Sequence, residues 1–255
     1  MTLQQVFATT RARNEIALIP YVTGGYPSRS ASLDFVHAAA EAGADAVEIG
    51  LPFSDPVADG PTIQFASHQA LAAGFRARPF LEALGTRKPA CPVIVMTYLN
   101  PLLALGAEAF PLLANSGVSA VVIPDLPVEE SDPFCTDAAR CGIDVVLLAA
   151  PTSSEDRLRR IGSASRGFVY VVGVVGTTGA RREADPLLPK ILDRVRSATT
   201  LPLVAGFGLS EPAHVEAIVA HADGAIVGSR LVDAICRGED FAALVRSFKN
   251  ATRRR

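Results

Sequence analysis

The chain repeats one alternation from end to end, a short apolar run followed by a longer segment with helical spacing. The runs fall at 17–21, 46–50, 93–97, 120–123, 144–148, 168–172, 203–205 and 225–227. They are mostly β-branched and each has the length of a buried strand. Between them, Leu33, Val36 and Ala40 run up to Gly43, and Ile63, Ala66 and Ala70 run up to Gly74, which is helical spacing with a glycine stop. Asp132-Pro133, Ser153 with Asp156, and Ser210 ahead of Glu211-Pro212 read as helix starts. Strands separated by helices pair in parallel through right-handed crossovers, and eight such units suggest closure into a (β/α)8 (TIM) barrel. An open doubly wound sheet is the alternative. A length of 255 residues suits one barrel over 1–255, and no linker, charge block or low-complexity stretch marks a second domain.

The bulk numbers remove several function classes. A formal net charge of -2 offers no basic footprint for nucleic acid or an anionic membrane. The longest apolar run, 168–176, is far short of the roughly 20 residues that span a bilayer. The opening residues lack a charged region followed by an apolar stretch and a cleavage site, so the expected location is the cytoplasm. Cys91, Cys135, Cys141 and Cys236 form no CxxC pair, and His37, His68, His214 and His221 have no metal-ligand spacing. No metal is expected.

In a barrel the loops that follow the strands build the active face, and two of them are long, 51–78 and 173–186. The run Ala46-Val-Glu-Ile-Gly50 alternates so that Glu48 faces away from Val47 and Ile49, toward the barrel interior. A carboxylate there is either paired or carries a raised pKa suited to proton transfer. Asp55 and Asp59 follow within Pro52-Phe-Ser-Asp-Pro-Val-Ala-Asp-Gly60, where either could be plain turn chemistry. Glu48 and Asp59 together form a pair that differing burial could divide into acid and base.

Glycines mark a second constellation. Ala205-Gly-Phe-Gly-Leu-Ser210 follows the seventh run and Val227-Gly-Ser-Arg230 the eighth, the two loops between which barrels commonly hold a phosphate. Gly206, Gly208 and Gly228 would let backbone N–H groups approach the anion, Ser229 would add a hydroxyl, and the stretch 176–179, ending at Gly179, could close the ring.

With these residues in place, Val47-Glu-Ile-Gly-Leu-Pro-Phe-Ser-Asp-Pro-Val-Ala-Asp-Gly60 resembles the signature of the tryptophan synthase alpha chain family. The likeness extends through Pro20-Tyr-Val-Thr-Gly-Gly-Tyr-Pro27, Met96-Thr-Tyr-Leu-Asn-Pro101, Pro124-Asp-Leu-Pro-Val-Glu-Glu130, Thr177-Thr-Gly179 and both glycine loops. It implies a lyase that splits indole-3-glycerol phosphate into indole and glyceraldehyde 3-phosphate, with Glu48 as general acid/base, Asp59 on the indole N–H and Tyr170 beside the reacting centre. It also implies that Tyr21, Met96, Tyr98 and Val122 line the indole pocket and that Asp55 and Thr178 order the loops around substrate. No cofactor is implied in this chain. Pyridoxal phosphate would sit in a partner, the tryptophan synthase beta chain, within an alpha2-beta2 heterotetramer docked through the face that carries Phe53 and Asn100-Pro101. One stretch departs from the family pattern: Gly173-Val-Val-Gly176 stands where a serine and often an arginine are usual. It leaves open a free-standing lyase that releases indole. A poorly catalytic barrel kept as a binding subunit is the alternative from another class.

Overall fold

The computed structural model describes residues 1–173 and 187–254. Among them run nine parallel strands: β1 (Ala17–Thr23), β2 (Val47–Gly50), β3 (Val93–Met96), β4 (Val118–Val122), β5 (Asp144–Val146), β6 (Leu148–Ala149), β7 (Val169–Val171), β8 (Leu203–Ala205) and β9 (Gly224–Val227). Their order across the sheet is β5-β4-β3-β2-β1-β9-β8-β7-β6. The two strands at the ends of that order are separated in the chain by Leu147 alone, whose carbonyl accepts from the Tyr170 N–H at 3.1 Å. The sheet therefore curls back on itself as a barrel, and the open-sheet alternative is excluded. The run expected at 144–148 is two short strands, because its first half pairs with β4 and its second with β7.

Helices alternate with the strands. α1 (Leu3–Ala12) precedes β1 and α2 (Arg29–Glu41) follows it; α3 (Pro61–Ala72) and α4 (Ala77–Thr86) follow β2; α5 (Leu99–Ala104) and α6 (Ala109–Asn115) follow β3. α7 (Asp132–Arg140) follows β4, α8 (Glu155–Ala164) follows β6, α9 (Leu188–Arg196) precedes β8, and α10 (Pro212–Glu216) follows it. α11 (Ser229–Arg237) and α12 (Phe241–Asn250) come after β9. Gly43 and Gly74 stop α2 and α3 in the left-handed region, at φ 98° and 84°, where side chains other than glycine's are strained.

The expected helix starts shift locally. Ser154, extended in backbone, caps α8 by accepting from the Arg157 N–H, while the Ser153 hydroxyl accepts from the Ala150 N–H. Asp132 lies inside α7, one place after the cap position at Ser131, and Glu211 holds the cap position of α10 in place of Ser210.

Two apolar layers follow from strand alternation. Leu18, Val22, Val47, Ile49, Val93, Val95, Val121, Val169 and Val171 point outward and pack under the helices. Ala17, Ile19, Tyr21, Ala46, Ile94, Met96, Ala120, Val122, Tyr170 and Ile226 point inward and fill the barrel. α1 plugs the floor, with Leu3, Val6 and Phe7 buried in the inner layer and Phe7 edge-on to Phe168 at 6.0 Å. Glu48 and Tyr170, on the inner face, are consequently held above a packed bottom.

Candidate active site

Glu48 lies on the inner face of β2, 1% exposed, in register with Tyr21 of β1 and Ile94 of β3. One of its carboxylate oxygens, Oε1, has no hydrogen-bond partner among the described residues. An ionised carboxylate in so dry a place is costly. Burial, helped by the negative charge of Asp59, pushes its pKa up to about 8.

Asp59 arrives from the loop after β2, and local bonds fix that loop. The Asp59 N–H donates to the Pro56 carbonyl at 3.0 Å, Gln64 Nε2 donates to the Asp59 carbonyl at 2.8 Å, and Gly60-Pro61 then opens α3. The Ala58 N–H donates to the Tyr98 hydroxyl at 3.0 Å, which ties the loop to the end of β3. Burial raises Asp59 to about 6, with the Tyr98 hydroxyl acting against the rise. The two carboxyl groups thus stand on either side of neutrality, Glu48 as an acid and Asp59 as a carboxylate.

Three tyrosines border this pair. Tyr21 reaches over Gly50, where a β-carbon would lie 1.9 Å from its hydroxyl, so the glycine makes the room for the ring. Tyr170 is packed by Phe168 at 6.5 Å and Phe207 at 6.1 Å, and its hydroxyl donates to the Gly206 carbonyl at 3.4 Å. Burial first, with the carboxylates adding to it, holds the Tyr21 and Tyr170 phenols well above their usual range, so both remain protonated donors. Tyr98 stacks at a tilt on Phe53 at 5.4 Å. Its hydroxyl is held up by burial and by Asp59. Met96 pairs with Val122 and with Gly50 across the strands, so the apolar lining is continuous from β2 to β4.

Of the glycines, Gly206 serves the packing of Tyr170: a β-carbon there would lie 2.1 Å from the Tyr170 hydroxyl, and its N–H already donates to the Val171 carbonyl at 3.3 Å. Gly208 is exposed and left-handed at φ 79°. Gly228 holds the cap position of α11, and exposed Ser229 is the first helical residue. A β-carbon at Gly228 would meet Ile63 and Tyr21 only at ordinary contact distance, so a bare helix N-terminus opens beside the tyrosine. Thr178 and Gly179, the departure at 174–176 and the rest of the loop to 186 lie outside the described residues. Asp55 is exposed and takes the Ser54 hydroxyl.

Sequence reasoning passed over two residues here. Thr23 is buried beyond Tyr21 on the same face of β1, in register with Gly50, and its side chain acts against the rise of the Tyr21 phenol. The period-two count from Ala17 through Ile19 and Tyr21 could have found it. Asp125 accepts from the Leu99 N–H at 2.9 Å and so fixes the turn that carries Tyr98, a contact between distant loops with no local sequence signal. Among the described residues no cluster of His, Cys, Asp or Glu could hold a metal, and no helix is long and apolar enough to cross a membrane.

A family model described as tryptophan synthase alpha chain matches residues 7–253. The chain belongs to the tryptophan synthase alpha chain family. The alpha chain of Roseiflexus sp. is 45% identical over 238 residues, covering 91% of each chain, and that of Carboxydothermus hydrogenoformans is 43% identical over 234 residues, covering 91% of this chain and 88% of its own. A tryptophan synthase structure from Mycobacterium tuberculosis superposes with a TM-score of 0.92 at 37% identity, over 99% of this chain and 98% of that one. The alpha subunit from Legionella pneumophila gives 0.89 at 29% identity, over 99% and 98%. Membership makes the chain an enzyme of the lyase class in tryptophan biosynthesis. Tryptophan synthase alpha chains hold no cofactor, the pyridoxal phosphate belonging to the beta chain.

Proposed function

We propose that this chain cleaves indole-3-glycerol phosphate to indole and glyceraldehyde 3-phosphate. The observation that carries the reading is buried Glu48, its Oε1 without a partner among the described residues and its pKa about 8, beside Asp59 at about 6. The retro-aldol needs a proton on indole C3, removal of the proton from the adjoining glycerol hydroxyl, and a counter-charge for the ring N–H while the ring is cationic. Protonated Glu48 supplies the first, and the carboxylate it leaves takes the hydroxyl proton. The carbon–carbon bond then breaks, its electron pair returns to the ring, the hydroxyl carbon becomes the aldehyde, and Glu48 ends protonated. Asp59, ionised at neutral pH, faces the ring N–H, and Tyr170 stands beside the reacting centre.

Tyr21, Met96, Tyr98 and Val122 form the wall for the indole, and Gly208, Gly228 and Ser229 are the phosphate grip that orients the scissile bond through remote binding energy. The chain works as the alpha half of an alpha2-beta2 assembly, meeting a pyridoxal-phosphate beta chain on the face with Phe53 and Asn100-Pro101, where Val57 and Leu103 are exposed. The free-standing alternative is not favoured, because the relatives are chains of tryptophan synthase. The test is indole release from indole-3-glycerol phosphate by the isolated chain, with and without a beta chain. Slow release alone and faster release with partner are expected. No release in either condition overturns the reaction, and full release alone with no complex on gel filtration overturns the partnership.

A further inference from the structure

His214 is the third residue of α10, directly after the β8 loop, and it is 2% exposed. Its side chain turns back onto that loop. The Ser210 N–H donates to His214 Nδ1 at 3.2 Å, and the Ser210 hydroxyl lies 3.4 Å from the same nitrogen. The Gly208 carbonyl is also near, 3.1 Å from Nδ1. The other ring nitrogen, Nε2, is buried with no partner among the described residues. A buried polar atom left unpaired costs free energy, so an apolar residue of similar volume would serve packing at least as well. What only a side chain with an acceptor at the Nδ1 position supplies is the bond to Ser210. That bond fixes the peptide between Gly208, left-handed at φ 79°, and the start of α10.

We propose that His214 is a positioning residue for phosphate binding, its Nδ1 holding the β8 loop in the shape that presents the Gly208 backbone to the anion. The inference rests on the reading of the β8 and β9 loops as the phosphate grip. The Ser210 N–H bond requires Nδ1 as acceptor and the ring proton on Nε2, while the tautomer protonated on Nδ1 would instead donate to the Gly208 carbonyl; either bond ties His214 to the β8 loop, and the first is the one proposed. His214→Leu keeps volume and burial but removes the acceptor. His214→Asn places Oδ1 close to the position of Nδ1 and restores it. Neither change touches a group that meets substrate.

The experiment measures the Kd of glycerol 3-phosphate by calorimetry, together with kcat, KM and Tm, for wild type, His214→Leu, His214→Asn and Gly228→Asp. Expected are a Kd and KM raised about tenfold in His214→Leu with kcat little changed, the size of one lost hydrogen bond, and a return most of the way in His214→Asn. A role in packing alone would leave Kd where it was in His214→Leu, with Tm unchanged or raised because the apolar side chain fills the same space, and an unchanged Kd overturns the proposal. Equal weakening by Leu and Asn overturns it as well, since the acceptor would then not matter. Gly228→Asp separates the two levels. If it abolishes binding while His214→Leu leaves it intact, the phosphate grip stands and His214 has no part in it; if none of the variants changes Kd, the grip itself is misplaced and the inference falls with it.

Discussion

Tyr170 occupies the space in which Gly206 would carry a side chain: a β-carbon there would lie 2.1 Å from the Tyr170 hydroxyl and about as close to its ring, while that hydroxyl donates to the Gly206 carbonyl. Phe168 and Phe207 flank the tyrosine, and a packed core resists such a shift. Gly206→Ala should therefore cost about 1–3 kcal/mol of stability and displace Tyr170 enough to reduce turnover. In denaturant unfolding, Tyr170→Ala should relieve most of that cost, leaving the double variant more stable than the two single losses predict. Strict additivity would mean that the contact is not the cause.

Glu48→Gln should lower turnover at least about 10²-fold, as loss of an acid/base group does, and it should also change the pH dependence of stability. The Glu48 pKa is raised in the folded chain to about 8, against an ordinary 4.5. Folding thus favours the protonated form, and the associated stability is complete below pH about 4.5 and lost progressively up to about 8. At about 1.4 kcal/mol per unit this amounts to a few kcal/mol. Wild type should accordingly fall behind Glu48→Gln as pH rises from 5 to 8.5. A melting-temperature difference that stays flat over this range would remove Glu48 from its dry site.

Asp59→Asn distinguishes an electrostatic role from a turn role. An amide keeps the turn chemistry of the Pro56 to Asp59 bend but brings no charge to the indole N–H, so turnover should fall about 10²-fold with little change in melting temperature. In wild type, kcat/KM should rise through about pH 6 as Asp59 ionises and fall through about pH 8 as Glu48 loses its proton, both limbs belonging to the coupled pair. A silent Asp59→Asn would reduce the residue to a turn former.

Much of this site was legible in the sequence, because strand alternation is strict. Placing Glu48 opposite to Val47 and Ile49 needed only a period of two, and the glycines after β8 and β9 stood where a barrel puts its anion loops. What the glycines do was less legible. Gly50 and Gly206 make room for Tyr21 and Tyr170, which approach from neighbouring strands or across the loop, and such contacts leave no local pattern. The split at Leu147 has the same origin, since one stretch serves two neighbours. The sequence showed of His214 only that it lacks metal-ligand spacing, and its bond to Ser210 depends on a turn that propensity does not describe.

Tyr98 offers the last test, because one oxygen serves both position and charge. Its hydroxyl accepts the Ala58 N–H at 3.0 Å and sits beside Asp59, whose pKa it lowers. Tyr98→Phe keeps the ring against Phe53 and loses only that oxygen. The Ala58 N–H then loses its partner, at a cost of about 1–2 kcal/mol, and the loop that carries Asp59 gains freedom. With the lowering contact gone, the Asp59 pKa rises above about 6, so a smaller fraction is ionised at neutral pH. The acid limb of kcat/KM should move to higher pH, while the alkaline limb stays near 8 because Asp59 is ionised there in both proteins. At pH 6.5 the variant should lose more activity relative to wild type than at pH 7.5. An equal loss at both values would mean that Tyr98 acts on loop position alone, and a shift of the acid limb to lower pH would contradict the assignment of that limb to Asp59.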